Sequence, residues 1–286
     1  MINDTMLYSL VILVSLGVLA AILLHFVAQK FKVIEDPRID DVAELLPGAN
    51  CGGCGFAGCR ALAESMVKTE SLEGKSCPPG GTATMEKIAA FLGLAADQSE
   101  PKIAVIRCNG TYANTPKKSD YDAVDSCAFA HSLYAGEGGC PNGCLGCGDC
   151  VRICTFNAIE MNTETGLPDV KDSCVACGAC VKVCPRSIIE LRNRGKKERR
   201  IFVSCVNTEK GAAAKKNCAV ACIGCGKCAK VCTFEAIAME NNLAYIDFEK
   251  CKLCRKCTKE CPTAAICEVN FPPLKKEEPM PIEAGA

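Results

Sequence analysis

The spacing C-x2-C-x2-C-x3-C occurs four times between residues 144 and 261. The four runs are Cys144, Cys147, Cys150 and Cys154; Cys174, Cys177, Cys180 and Cys184; Cys222, Cys225, Cys228 and Cys232; and Cys251, Cys254, Cys257 and Cys261. Such a pattern leaves a chain little choice of what to fold around. Three thiolates separated by two residues wrap three irons of one [4Fe–4S] cube from a single tight loop, and the fourth points away to the cube of the paired motif. Small residues such as Gly146, Gly148 and Gly178 let the backbone come close. The ligand sets are therefore expected to cross. Cluster A takes Cys144, Cys147, Cys150 and Cys184, and cluster B takes Cys174, Cys177, Cys180 and Cys154. In the second pair, Cys222, Cys225, Cys228 and Cys261 form one set and Cys251, Cys254, Cys257 and Cys232 the other. An isoleucine stands five residues after the last cysteine of each motif (Ile159, Ile189, Ile237 and Ile266). That predicts a short apolar strand over each cluster.

Two other uses of cysteine fit less well. A disulfide scaffold needs an oxidising compartment and has no reason to repeat this spacing. A zinc ribbon takes two C-x2-C pairs and leaves the third and fourth cysteines idle. The chain has 286 residues, 26 of them cysteine and none tryptophan, room for two or more small domains. Metal–thiolate bonds rather than large apolar cores hold such modules, so few aromatics are needed. A formal net charge of zero argues against nucleic acid as a partner. So many thiolate ligands imply a reducing compartment.

Residues 7–26 carry no Asp, Glu, Lys or Arg. At ~1.5 Å per residue they span about 30 Å, the hydrocarbon thickness of a bilayer. The leader has a single acid, Asp4, no basic residue, and no cleavage signal follows, unlike a secretory signal peptide. Lys30 and Lys32 follow the apolar run, which places the rest of the chain on the cytoplasmic side of the inner membrane.

A second kind of site comes next. A helix expected at 40–46 stops before Pro47-Gly48, and Cys51, Cys54 and Cys59 follow in a glycine-rich loop. A helix expected at 60–68 separates them from Cys77. Four thiolates in this company read as one more [4Fe–4S] cluster rather than zinc. Gly53, Gly55 and Gly58 match G-x-G-x-x-G by letter, but no strand is expected before them and the embedded cysteine is wanted as a ligand. Gly74-Lys75-Ser76 lacks the earlier glycine of a phosphate loop, since position 69 is threonine.

Residues 102–107 and 201–204 read as short strands, running into Cys108 and Cys205. Cys140 and Cys218 each stand four residues before a ferredoxin motif. Six cysteines thus remain: Cys108, Cys127, Cys140, Cys205, Cys218 and Cys267. The first five leave room for a sixth cluster, and the alternative is buried free thiols. Residues 192–200 hold six basic side chains. They are expected to be a solvated linker or a docking site for an acidic electron carrier.

The N-terminal apolar helix, LPGANCGGCGFAGC with its distant Cys-Pro, the strand–RCNG segment and the ferredoxin motifs together resemble the B subunit of the Rnf complex and of the related Rsx system. The resemblance implies a subunit of an ion-translocating ferredoxin:NAD+ oxidoreductase that accepts electrons from reduced ferredoxin. It would pass them through at least five [4Fe–4S] clusters toward other membrane and peripheral subunits. It also implies Cys51, Cys54, Cys59 and Cys77 as ligands. Thr155 and Thr233 depart from the proline usual after the fourth cysteine. The expected fold class is α+β: a single N-terminal transmembrane helix (1–30) in contact with lipid, a small helical cluster domain (31–94), and a linker with a strand (95–139). Two tandem 2[4Fe–4S] ferredoxin-like units (140–192 and 222–270) then flank a basic linker (193–221), before a disordered tail (271–286). No catalytic residue is expected, because fully ligated cubes leave no open iron. The rivals are an Rsx-type subunit reducing a redox-sensing regulator, a corrinoid-linked module with a barrel for its cobamide, and a structural role.

Overall fold

The computed structural model describes residues 4–30, 35–95, 100–120, 122, 124–133 and 135–272. The tail expected to be disordered lies, from residue 273, outside them. Helix α1 (Asp4–Lys30) contains an apolar span, Leu7–Lys30, whose most apolar 18-residue window has mean hydropathy 2.8 and is not buried against the rest of the chain. It is long and apolar enough to cross a membrane.

Helices α2 (Arg38–Leu45), α3 (Cys59–Thr69) and α4 (Gly81–Leu92) build one apolar core. Leu62, Ala63, Met66 and Val67 recur at helical spacing on α3, and Met85, Ile88 and Ala89 on α4, all buried with Ile39 and Val42 of α2. The first two helices fall where the sequence places them. The third, α4, has an equally periodic face.

In the first ferredoxin unit the chain runs through β1 (Lys102–Ile106), α5 (Cys127–Leu133), α6 (Asp149–Arg152), β2 (Ile159–Asn162), β3 (Leu167–Val170), α7 (Ala179–Val183) and β4 (Ile189–Asn193). The second unit follows with β5 (Arg200–Val203), α8 (Gly211–Asn217), α9 (Lys227–Lys230), β6 (Ile237–Glu240), β7 (Leu243–Ile246), α10 (Lys256–Glu260) and β8 (Ile266–Val269). Strands β2, β4, β6 and β8 begin at the four isoleucines that follow the motifs. All pairings are antiparallel: β1 with β4, β2 with β3, β5 with β8, and β6 with β7. Thus β1, expected in a linker, is the sheet partner of the strand that ends unit 1, with Lys102 opposite Asn193 and Ile106 opposite Ile189. Among the described residues there are only these two-stranded sheets and no barrel for a cobamide.

The basic stretch at 192–200 is not simply solvated. Arg192 is 1% exposed and Arg200 is buried, while Lys196 and Lys197 stand at the surface. Arg192 pairs with Glu190, and its guanidinium lies 5.2 Å from the centre of the Tyr245 ring, 5.6 Å from Phe248 and 5.8 Å from Phe202. It is a clamp between the units: Arg192 comes from β4 of unit 1, and all three rings come from unit 2. Arg107, just past β1, reaches across as well. It donates to the carbonyls of Val203 (3.5 Å) and Cys205 (3.4 Å) and lies 5.1 Å from the Tyr245 ring. Arg192→Ala is expected to cost about 2 kcal/mol, because it removes three ring contacts and one of the two arginines on the half-buried Glu190, leaving that carboxylate to Arg107 at 3.4 Å. Arg192→Lys should recover little, since only the planar group stacks. The midpoint of anaerobic denaturation, followed by loss of the cluster absorbance, measures both.

Candidate iron–sulfur centres

The four motifs share one backbone. The residue before the second cysteine is left-handed in each: Gly146, Ala176, Gly224 and Leu253. So is the residue after it: Gly148, Gly178, Gly226 and Arg255. A third such residue follows the last cysteine by three positions: Asn157, Ser187, Glu235 and Ala264. Each of these closes a turn by donating its N–H to the carbonyl of the fourth cysteine, at 3.2 to 3.4 Å. The loop curls because alternate left-handed residues turn successive N–H groups inward, where thiolate and sulfide need donors. Ala158, Ala176 and Ala265 donate to Cys154, Cys174 and Cys261 Sγ at 3.4, 3.5 and 3.3 Å. Only the last motif puts a bulky residue where the others have glycine after the second cysteine. A left-handed Arg255 costs roughly 1 kcal/mol, which its ion pair to Glu268 (2.5 Å) and its stacking on Phe271 (4.9 Å) offset.

Cysteines of paired motifs line common cavities. One cavity is lined by Cys222, Cys225, Cys228 and Cys261, and another by Cys232, Cys251, Cys254 and Cys257. In unit 1 a cavity gathers Cys144, Cys150 and Cys184, while Cys180 has Cys174, Cys177 and Cys154 as electrostatic neighbours. Cys147 faces a larger adjoining cavity, and Cys127 lies against it and enters the wall of the Cys144 cavity. Cys127 is thus a further thiol beside Cys144 and Cys147. No spacing rule reaches it, since it arrives on the separate helix α5.

The N-terminal thiols also converge. Cys51, Cys54, Cys59 and Cys77 line one cavity with Leu62 and Pro78. Asn50 ties the loop to α3 by accepting the Cys59 N–H at 2.8 Å on its side-chain oxygen. The glycine-rich letters at 53–58 therefore serve a thiol loop; among the described residues no strand precedes them. This loop touches unit 1: a methyl built on Gly53 would lie 2.6 Å from the Cys177 carbonyl oxygen.

Burial pushes the thiols of Cys144, Cys147 and Cys180 up to about 12, and those of Cys150, Cys228 and Cys257 up to about 11, with neighbouring cysteines adding to the shift. Without metal these thiols hold their protons at neutral pH, and iron must displace them. Among the described residues no group of three or more His, Cys, Asp or Glu is placed to hold a single metal ion.

A family model for an Fe-S cluster matches residues 46–79, and models of 4Fe-4S dicluster domains match 141–191, 221–265 and 173–237. The chain is 42% identical to the B subunit of the proton-translocating ferredoxin:NAD(+) oxidoreductase complex of Clostridium ljungdahlii, over 92% of each chain. It belongs to the B-subunit family of ion-translocating oxidoreductase complexes. The B subunit of the Methanosarcina acetivorans ion-translocating oxidoreductase complex is 40% identical over 92% of this chain and 98% of its own. That of the Na(+)-translocating ferredoxin:NAD(+) oxidoreductase complex of Acetobacterium woodii is 40% identical over 87% of this chain and 74% of its own. Coverage of this extent includes both ferredoxin units, so the second unit is shared with these three relatives. The match at 173–237 straddles the two units; in this chain the motifs pair within each unit, α6 against α7 and α9 against α10. Helix α1 fits a membrane-anchored subunit.

Proposed function

We propose that this chain is the electron-accepting relay of an ion-translocating ferredoxin:NAD+ oxidoreductase, holding at least five [4Fe–4S] clusters on the five crossed or local ligand sets named above. The observation that carries the reading is the proximity of successive thiol loops. The Cys51–Cys54 loop abuts Cys177 of cluster B, Cys180 has Cys150 of cluster A as a neighbour, and Cys257 has Cys228. Sites strung in this way suit a wire. The relatives' names supply its ends, ferredoxin and NAD+, on other molecules. Lys30 and Lys32 support a cytoplasmic location for everything beyond α1.

Reduced ferredoxin docks on unit 2 in this scheme. Cys225 and Cys254 are the two exposed ligand cysteines. Exposed Lys227 and Lys230 of α9 and Lys252, Lys256 and Lys259 of the adjoining loop and α10 surround them. A positive rim around clusters near the surface attracts an acidic carrier and raises the encounter rate. Rapid mixing with reduced ferredoxin tests this. Lys227→Glu with Lys256→Glu should slow reduction by about tenfold at low ionic strength, and the difference should vanish in high salt. Equal rates at low salt would move the docking site elsewhere; no reduction of the unaltered protein at all would sink the relay itself.

A further inference from the structure

Four of the six spare cysteines meet. Cys108, Cys140, Cys205 and Cys218 line one cavity of about 620 Å³ between the ferredoxin units. Cys108 follows β1 and Cys140 precedes the first motif of unit 1; Cys205 and Cys218 hold the matching positions in unit 2. Each unit thus contributes two thiols. A methyl on Gly110 would lie 3.5 Å from Cys108 Sγ and 3.9 Å from Cys218 Sγ, so both sulfurs, one from each unit, stand within contact distance of this backbone. Gly143 stands in the same relation to Cys140, 3.5 Å from its sulfur.

These thiols are dressed as ligands. Cys108 Sγ accepts the N–H of Gly110 at 3.5 Å and that of Cys144 at 3.4 Å. Cys205 accepts from the N–H groups of Cys222 and Asn207, and Cys140 from that of Asn142. The side-chain amide of Asn207, 1% exposed, lies 3.8 Å from Cys140 Sγ and accepts from Asn142 at 3.0 Å. Cys205 and Cys218 border the apolar core of unit 2 and Cys140 packs against it, whereas Cys267 in β8 packs with the core of unit 1 and lines no part of this cavity. The four here face a cavity walled by Asn109, Asn142 and Asn207, and none is in a disulfide. The walls are stapled across the units by the Ala219 N–H to the Asn114 carbonyl at 2.8 Å.

We infer that Cys108, Cys140, Cys205 and Cys218 hold a sixth [4Fe–4S] cluster that bridges the two ferredoxin units, an inference that rests on the relay function proposed for this chain. Its place explains the otherwise missing link. The Cys108 sulfur is bonded to the peptide N–H of Cys144, a ligand of cluster A, and the Cys205 sulfur to that of Cys222, a ligand in unit 2. One electron arriving from a reduced neighbour cube reduces the bridge and leaves to the cube on the other side, with no proton or bond change. The order along the chain becomes N-terminal site, cluster B, cluster A, bridge, then the Cys222 and Cys251 cubes.

Anaerobic reconstitution of the full chain in detergent with iron-57 tests the inference by iron analysis and Mössbauer spectroscopy. The expected content is about 24 irons per chain, all in cubes. Cys108→Ser and Cys218→Ser should each lower it to about 20, while Cys267→Ser leaves it unchanged. Rapid reduction by ferredoxin should then split into two phases, because one unit is cut off from the donor. A wild-type content of about 20 irons, or zinc in place of the missing cube, overturns the sixth cluster yet leaves the relay standing if ferredoxin still reduces the protein. Should a serine variant fail to fold, the wild-type count decides alone.

Discussion

Stripping iron from the protein with its thiols kept reduced is expected to unfold both ferredoxin units and spare the α2–α4 core. The second unit buries Ile201, Val203, Ile246 and Ile266, but the rest of its core is cysteine and alanine, including Cys205, Cys218, Cys222, Cys228 and Cys257. Sheets of two strands with so little apolar area do not stand alone in water. Structural metal–thiolate sites contribute on the order of 10 kcal/mol each, comparable to the whole stability of a small domain. Losing several cubes therefore exceeds what the strands can supply. The helical domain is different. It buries Ile39, Val42, Leu62, Met66, Val67, Met85 and Ile88 around one site at its end. Hydrogen exchange read by mass spectrometry should show amides at 102–106, 189–193, 200–203 and 266–269 fully exchanged in the apoprotein, with 62–67 and 85–89 still protected. Strand protection surviving the loss of iron would mean that packing, not metal, holds the units.

The crossed ligand sets make the second large prediction. With cluster A built on Cys144, Cys147, Cys150 and Cys184, Cys184→Ala should open that cube while cluster B keeps Cys154, Cys174, Cys177 and Cys180. Cys154→Ala should do the reverse. Both are best made in a Cys127→Ser background, since Cys127 lies beside Cys147 and can step in as a substitute ligand. A cube left with three thiolates sheds iron, and its freed thiols become open to alkylation. Peptide mapping after brief alkylation should find Cys144, Cys147 and Cys150 modified in the first variant and Cys174, Cys177 and Cys180 in the second. If Cys184→Ala instead exposes Cys174, Cys177 and Cys180, each motif closes on itself and the crossed sets are wrong.

What could be read without coordinates was whatever a single loop or helix completes by itself. The four motifs, the strands starting at Ile159, Ile189, Ile237 and Ile266, the N-terminal set at Cys51, Cys54, Cys59 and Cys77, and the apolar length of α1 are all of this kind. A cube's size fixes the number of residues between thiols, and a bilayer's thickness fixes the length of a helix, so spacing alone reports them. Departures come where contacts are distant in sequence. Strand β1 pairs with β4, some eighty residues on, and nothing local to residues 102–106 names that partner. Arg192 reads as part of a charged linker because its letters are basic; it is buried because three rings of the next unit close over it. Cys108, Cys140, Cys205 and Cys218 have no spacing rule, being brought together only when the two units dock. Sequence alone determined which clusters each loop can grip. Tertiary structure decided how the loops stand in series, because that order depends on chain closures and packed interfaces that no local pattern encodes.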